Sequence, residues 1–133
     1  MHESCGIFGV YAPGEDVARI TFFALYALQH RGQESSGIAT ANKGRIHLHS
    51  GMGLVSQVFD EPSLSHLWGD IAIGHNRYST MGSSRIVNAQ PLVIDSPSEK
   101  MAIAHNGNIV NAENIRQELE ERGCRFETST DIL

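Results

Sequence analysis

Two stretches of this chain, CGIFGVY from Cys5 and DIAIGHN from Asp70, carry unbroken apolar runs. A strand with one wet face alternates polar and apolar residues, so runs of this kind ask for a sheet covered on both faces. Covering both faces takes layers, and 133 residues suffice for one layered domain but not for two.

The segments between these runs supply the layers. After the strand over residues 5–11 and the Ala12-Pro13-Gly14 turn, Glu15 and Asp16 stand where acids favour a helix start. Val17, Ile20, Ala24, Ala27 and Leu28 then recur at three- and four-residue steps, which predicts a helix to about His30. GIATAN and RIHLHS flank Lys43-Gly44 as a hairpin. GLVSQVFDE reads as a short helix that Pro62 ends or redirects. DIAIGHN is a strand feeding the loop RYSTMGSSRIVNAQ, and PLVID with KMAIAHN forms a second hairpin around SPSE. A helix follows from about Ala112 to Arg122, capped by Asn111 or a neighbour and stopped by Gly123, and CRFET is a last strand. The class is α+β, layered.

Composition excludes several functions. The net charge is −5 and the ten Lys and Arg are scattered singly, which argues against a nucleic-acid or anionic-membrane surface. No run reaches the ~18 apolar residues of a membrane span, and no signal peptide opens the chain. Cys5 and Cys124 have no CxxC partners, so the expected compartment is a reducing cytoplasm. His47 and His49 alternate on one strand face, but with no third ligand nearby they read as strand residues, not as a metal site. Cys124 reads as a core thiol, Trp68 as a packing anchor, and Tyr11, Phe22, Phe23 and Tyr26 as core or interface.

Four polar or glycine-bearing stretches sit at strand ends, where functional loops gather. They are Cys5-Gly6, His30-Arg31-Gly32-Gln33-Glu34, Gly74-His75-Asn76-Arg77-Tyr78-Ser79-Thr80 and His105-Asn106-Gly107-Asn108. Singly, each has an ordinary explanation: a core thiol, a helix end, a strand end, a turn. Together, CGIFGVY, ALQHRGQESSGIAT, GLVSQVF, IGHNRYSTMGSS, NAQPLV, AHNGNIVNA and STD resemble, in order, the glutaminase domain of the amidophosphoribosyltransferase family. These are class II glutamine amidotransferases of the N-terminal-nucleophile hydrolase superfamily. The resemblance covers essentially the whole chain. It implies the first part of a four-layer αββα sandwich.

The resemblance also implies the chemistry. Cys5 is the nucleophile and the first residue of the mature enzyme. A free thiol titrates near ~8.5 and an α-amine near ~7.7–8.0, so the amine of the same residue can take the thiol proton at neutral pH. The Asn106 side chain and the Gly107 N–H would stabilise the oxyanion. Arg77 matches the residue that holds the glutamine carboxylate, with Thr80 in the same loop. Asp131 matches the partner of the substrate ammonium, and Arg31 an arginine that organises the loops around the nucleophile. His75 and His105 read as hydrogen-bonded framework, because Cys–amine chemistry requires no histidine. Asn108 and Tyr78 shape the pocket or pack.

Two departures from the family pattern bear on this reading. Met1-His2-Glu3-Ser4 precedes Cys5, and removing Met1 alone leaves three residues on its amine, so a leader over 1–4 is expected to be cut at Ser4–Cys5. The glutaminase domain of the family also continues past Leu133 into a phosphoribosyltransferase domain, so residues 5–133 read as its N-terminal part, with apolar sheet surface left exposed. After STD the family usually carries a hydroxyl residue and an acid, where this chain has Ile132-Leu133. The resemblance implies glutamine and phosphoribosyl pyrophosphate as substrates and a homo-oligomer. It implies no cofactor for this segment, Mg2+ with the phosphoribosyltransferase domain, and in some members an iron–sulfur cluster. The alternatives are the glutaminase domain of another class II enzyme, such as glucosamine-6-phosphate synthase, and a catalytically inert fragment.

Overall fold

A computed structural model describes residues 5–29, 33–78, 89–106 and 111–123. In chain order the elements are β1 (Gly6–Tyr11), α1 (Val17–Leu28), β2 (Ser35–Asn42), β3 (Arg45–Met52), α2 (Val55–Val58), α3 (Glu61–Ser65), β4 (Ile71–Arg77), β5 (Leu92–Asp95), β6 (Lys100–Ile103) and α4 (Ala112–Glu121). Four strands form an antiparallel sheet in the order β1-β4-β2-β3, and β5 and β6 form a second two-stranded sheet. No helix among the described residues is long and apolar enough to cross a membrane.

Local chemistry accounts for the elements. Asp16 caps α1 by accepting the Arg19 N–H at 3.1 Å. Lys43 and Gly44 both have positive φ, as the two-residue turn between β2 and β3 demands. The single short helix expected over GLVSQVFDE is two helices. Asp60 accepts the Ser63 N–H at 2.8 Å and Ser63 Oγ takes the Asp60 N–H at 2.9 Å, so a new helix starts there. Pro62 therefore sits in the first turn of α3, where its missing N–H costs nothing. Asn111 precedes α4 without a side-chain cap bond, and Gly123 lies past its end with φ of 95°. The strand expected over CRFET lies outside the described residues.

Alternation sorts the four-stranded sheet into two faces. The even-numbered positions of β1, β2 and β4 face α1, and a Cβ on Gly74 would stand only 2.6 Å from Thr21 Cγ2 and 2.9 Å from Leu25 Cδ1. Glycine there lets α1 lie close on the sheet. Ala18, Leu25, Ile38, Val55, Phe59, Leu64 and Leu67 form the core between this face and the helices, with Phe8, Phe22 and Val58 against it. The β5–β6 hairpin lies on the other face, which we call the inner face, across an apolar cleft of about 290 Å³ bounded by Ala39, Ala41, Ile46, Ile73 and Met101.

Coverage of the two faces is unequal along the sheet. β2 starts at Ser35, two residues before the expected GIATAN strand and inside the HRGQESSG stretch that reads as a loop, and it is buried on both faces over its first six residues. β1 is not: it lies at the sheet edge with alternate residues exposed, Tyr11 by 72%. Phe23 and Tyr26 likewise point outward from α1, whereas Phe22 packs edge-on against Phe59. Of the aromatic residues expected in a core or interface, then, only Phe22 meets the core of the described chain.

Candidate active site

Two of the residues that the resemblance singles out, Cys5 and Arg77, lie at one end of the sheet, where β1 begins and β4 ends. Gly6 pairs with Asn76, so Cys5, one step before β1, comes alongside Arg77 and Tyr78. Its Sγ lies 3.9 Å from the Tyr78 carbonyl oxygen, and only 7% of the residue is exposed. Ser35 on β2 flanks Arg77 from the other side, and the Glu34 N–H donates to the Arg77 carbonyl at 2.8 Å. Arg77 itself is buried and belongs to the inner-face register.

Asn76, one residue earlier, points the other way and ties α1 to the sheet. Its Nδ2 donates to the Leu25 carbonyl at 2.8 Å, and its Oδ1 accepts from Ser36 Oγ at 2.9 Å. The Gln29 N–H turns back to Tyr26 at the helix end, so Asn76 supplies the donor for one of the last carbonyls of α1. The chain leaving that helix end is the one that carries Arg31 and Gln33. Gln33 Nε2 in turn donates to the Gly53 carbonyl at 3.0 Å.

On the inner face, His75 reaches across to the strand-end segment after β6. Its Nε2 lies 3.0 Å from the His105 carbonyl oxygen. A carbonyl can only accept, so Nε2 carries the proton and Nδ1, buried with no hydrogen-bond partner among the described residues, does not. Burial holds the His75 pKa down to about 4, Arg77 and His105 add to the depression, and the bond to the His105 carbonyl opposes it. The His105 N–H donates to Gln90 Oε1 at 2.7 Å. Asn106 follows directly and is exposed.

The structure thus brings Cys5 and Arg77 together and leads the segment bearing Asn106 to the same strand. Arg31, Thr80, Gly107, Asn108, Cys124 and Asp131 lie outside the described residues, as does the leader. The alternating histidines of β3 do share a face: His49 Nε2 lies within hydrogen-bond distance of the Val58 carbonyl at 2.8 Å, and the His47 ring lies tilted against Trp68 with ring centroids 4.5 Å apart. Gln90 and Asn76 have roles that sequence reading did not assign them, although both lie within the quoted motifs NAQPLV and IGHNRYST.

The described chain sets the buried Cys5 thiol beside the buried Arg77 at one sheet end, and comparison with known proteins gives the class of the domain. Residues 61–132 match the family model described as a glutamine amidotransferase domain, and the chain belongs to that family. The chain is also similar to amidophosphoribosyltransferases: it is 58% identical to that of Synechocystis sp. over 97% of its own length and 26% of the relative. Against the Methanothermobacter thermautotrophicus enzyme the identity is 50%, over 98% of this chain and 28% of the relative. It therefore spans about a quarter of the length of these curated relatives.

Among solved structures, "structure of the allosteric regulatory enzyme of purine biosynthesis" superposes with a TM-score of 0.84 at 42% identity, over 92% of this chain and 26% of that one. The glutamine phosphoribosylpyrophosphate amidotransferase of B. subtilis, complexed with ADP and GMP, gives 0.79 at 40% identity, over 96% and 27%. The fold is accordingly α+β, the first part of the N-terminal-nucleophile hydrolase sandwich: helices on one sheet face, a second sheet on the other.

Proposed function

We propose that Cys5, with residues 1–4 removed, hydrolyses glutamine, and that in the full-length protein the ammonia goes to phosphoribosyl pyrophosphate to form 5-phosphoribosylamine. What carries this reading is the pairing of Cys5 and Arg77 at one buried sheet end, with the Asn106 segment tethered to the same strand through His75. The α-amine of Cys5 takes the thiol proton as sulfur attacks the side-chain amide carbon. Asn106 Nδ2 and the Gly107 N–H stabilise the tetrahedral oxyanion. Collapse breaks the C–N bond, the α-ammonium protonates the leaving ammonia, and a γ-glutamyl thioester remains on Cys5. Water, deprotonated by the same amine, then releases glutamate.

Arg77 offers a planar guanidinium fork to the substrate carboxylate, assisted by Thr80, and Asp131 pairs with the substrate ammonium. Arg31 orders the loop after α1. Cleavage at Ser4–Cys5 creates the base, so the leader keeps the enzyme silent until it is cut. The protein works in the cytoplasm as a homo-oligomer. Glutamate release by full-length protein, beside its Cys5→Ala variant, tests the reading. Loss of release in the variant supports it, and equal release by both rules out Cys5 as the nucleophile.

A further inference from the structure

We propose that His75 and Gln90 form a two-point clamp on the backbone of His105, and that this clamp positions Asn106 toward the reacting amide. The proposal rests on the reading of Asn106 as an oxyanion donor. His105 is held at both of its peptide groups by side chains that are themselves buried. His75, fully buried, donates Nε2–H to its carbonyl at 3.0 Å, and Gln90, 3% exposed, accepts its N–H through Oε1 at 2.7 Å. The carbonyl that His75 holds belongs to the peptide unit leading into Asn106. Fixing that plane fixes where the Asn106 side chain begins.

Both arms are rooted at one register position of the sheet. His75 on β4 pairs with Gly37 on β2. Gly37 has no Cβ, and the Gln90 carbonyl occupies the space over it, with Pro91 Cδ beside it. One arm thus leaves the sheet from His75, and the other returns to it over the neighbouring glycine. His75 sits two residues before Arg77 on the same strand, so substrate carboxylate and oxyanion donor are referenced to one rigid element. The neutral state of His75 suits this role: burial disfavours the imidazolium, and the clamp needs only one N–H.

His75 and Gln90 are positioning residues, and the test separates positioning from folding. In the full-length protein, His75→Leu removes one arm and Gln90→Met the other, while His75→Gln keeps a donor near Nε2. Three quantities are read: kcat and KM for glutamine hydrolysis, and the rate at which iodoacetamide alkylates Cys5, a displacement that forms no oxyanion. The clamp predicts a kcat loss on the order of 10–100-fold in His75→Leu and in Gln90→Met, since misplacement by about 1 Å costs that much. KM and the alkylation rate should stay within about threefold, and His75→Gln should recover most of kcat.

Placed on Asn106→Ala, His75→Leu should add almost nothing, because the group it positions is already gone. Full multiplication of the two losses, or an unchanged kcat in both single variants, overturns the clamp. An unchanged kcat in Asn106→Ala instead overturns the underlying reading, which keeps the two failures apart. Should His75→Leu not fold, Gln90→Met alone is judged by the same numbers, alone and on Asn106→Ala.

Discussion

Gly37→Ala is the smallest change that should reach the site from a distance. A Cβ at Gly37 would run into the Gln90 carbonyl oxygen and stand 2.9 Å from the Gln90 carbonyl carbon and 3.0 Å from Pro91 Cδ. Carbon atoms in contact prefer ~3.5–4.0 Å, so the 89–91 segment must recede by roughly 0.5–1 Å. Overpacking of this kind costs about 1–3 kcal/mol, and backbone atoms give way less readily than side-chain tips. The same displacement stretches the 2.7 Å bond from the His105 N–H to Gln90 Oε1 beyond the ~3.2 Å at which such bonds weaken.

Gly9→Ala is the internal control. Gly9 lies on the same sheet, but a Cβ there meets only Ile73 Cγ2 at 3.8 Å and the Ala72 carbonyl oxygen at 3.9 Å, ordinary contacts. Urea unfolding should show a lower midpoint for Gly37→Ala at unchanged slope, and an equal or higher midpoint for Gly9→Ala. Glutaminase kcat should fall in the first and hold in the second. Equal midpoints and equal kcat in the two variants would refute the close approach of the 89–91 segment to β2.

Three further outcomes follow from the same geometry. Asn106→Ala should lower kcat for glutamine on the order of 10²–10³-fold, with a smaller change in KM, measured by glutamate release. Asn76→Ala leaves the Leu25 carbonyl and the Ser36 hydroxyl buried and unbonded, so chemical denaturation should show a loss of roughly 2–5 kcal/mol. His75 has a folded-state pKa near 4, below the ~6.5 of an unfolded histidine. Between those values the unfolded chain binds the proton and the folded one does not. Stability present above pH 6.5 is therefore lost as pH falls to 4, by about 3 kcal/mol. His75→Gln should flatten that part of a pH–stability curve.

What the sequence disclosed and what it hid divide along physical lines. Lys43-Gly44 announced the turn between β2 and β3, because that signal is local, whereas Ser35 and Ser36 looked like loop and are buried strand. β1, apolar throughout in sequence, lies at the sheet edge instead, and its apolar residues are half exposed. Cys5 and Arg77 stood out only through ordered motifs; nothing in their neighbours says that Gly6 will register with Asn76. Gly9 and Gly37 look alike in sequence, yet a side chain at one would meet only ordinary contacts and at the other a carbonyl from a segment 53 residues away. The Gln90–His105–His75 chain was equally hidden, since each bond joins residues far apart in sequence. The start of α3 was legible in principle: Asp60 with Ser63 three residues later is a capping signature, and Pro62 between them drew attention to the break instead.

If the amine and thiol of one residue, Cys5, act together, working protein must begin at that residue. Full-length protein that releases glutamate is treated with a glutamine-derived diazoketone, and the modified amino-terminal peptide is identified by mass spectrometry. The expected result is a single adduct on the sulfur of Cys5 in a peptide that begins at Cys5. An active protein whose labelled peptide still begins at Met1 or His2 would contradict it.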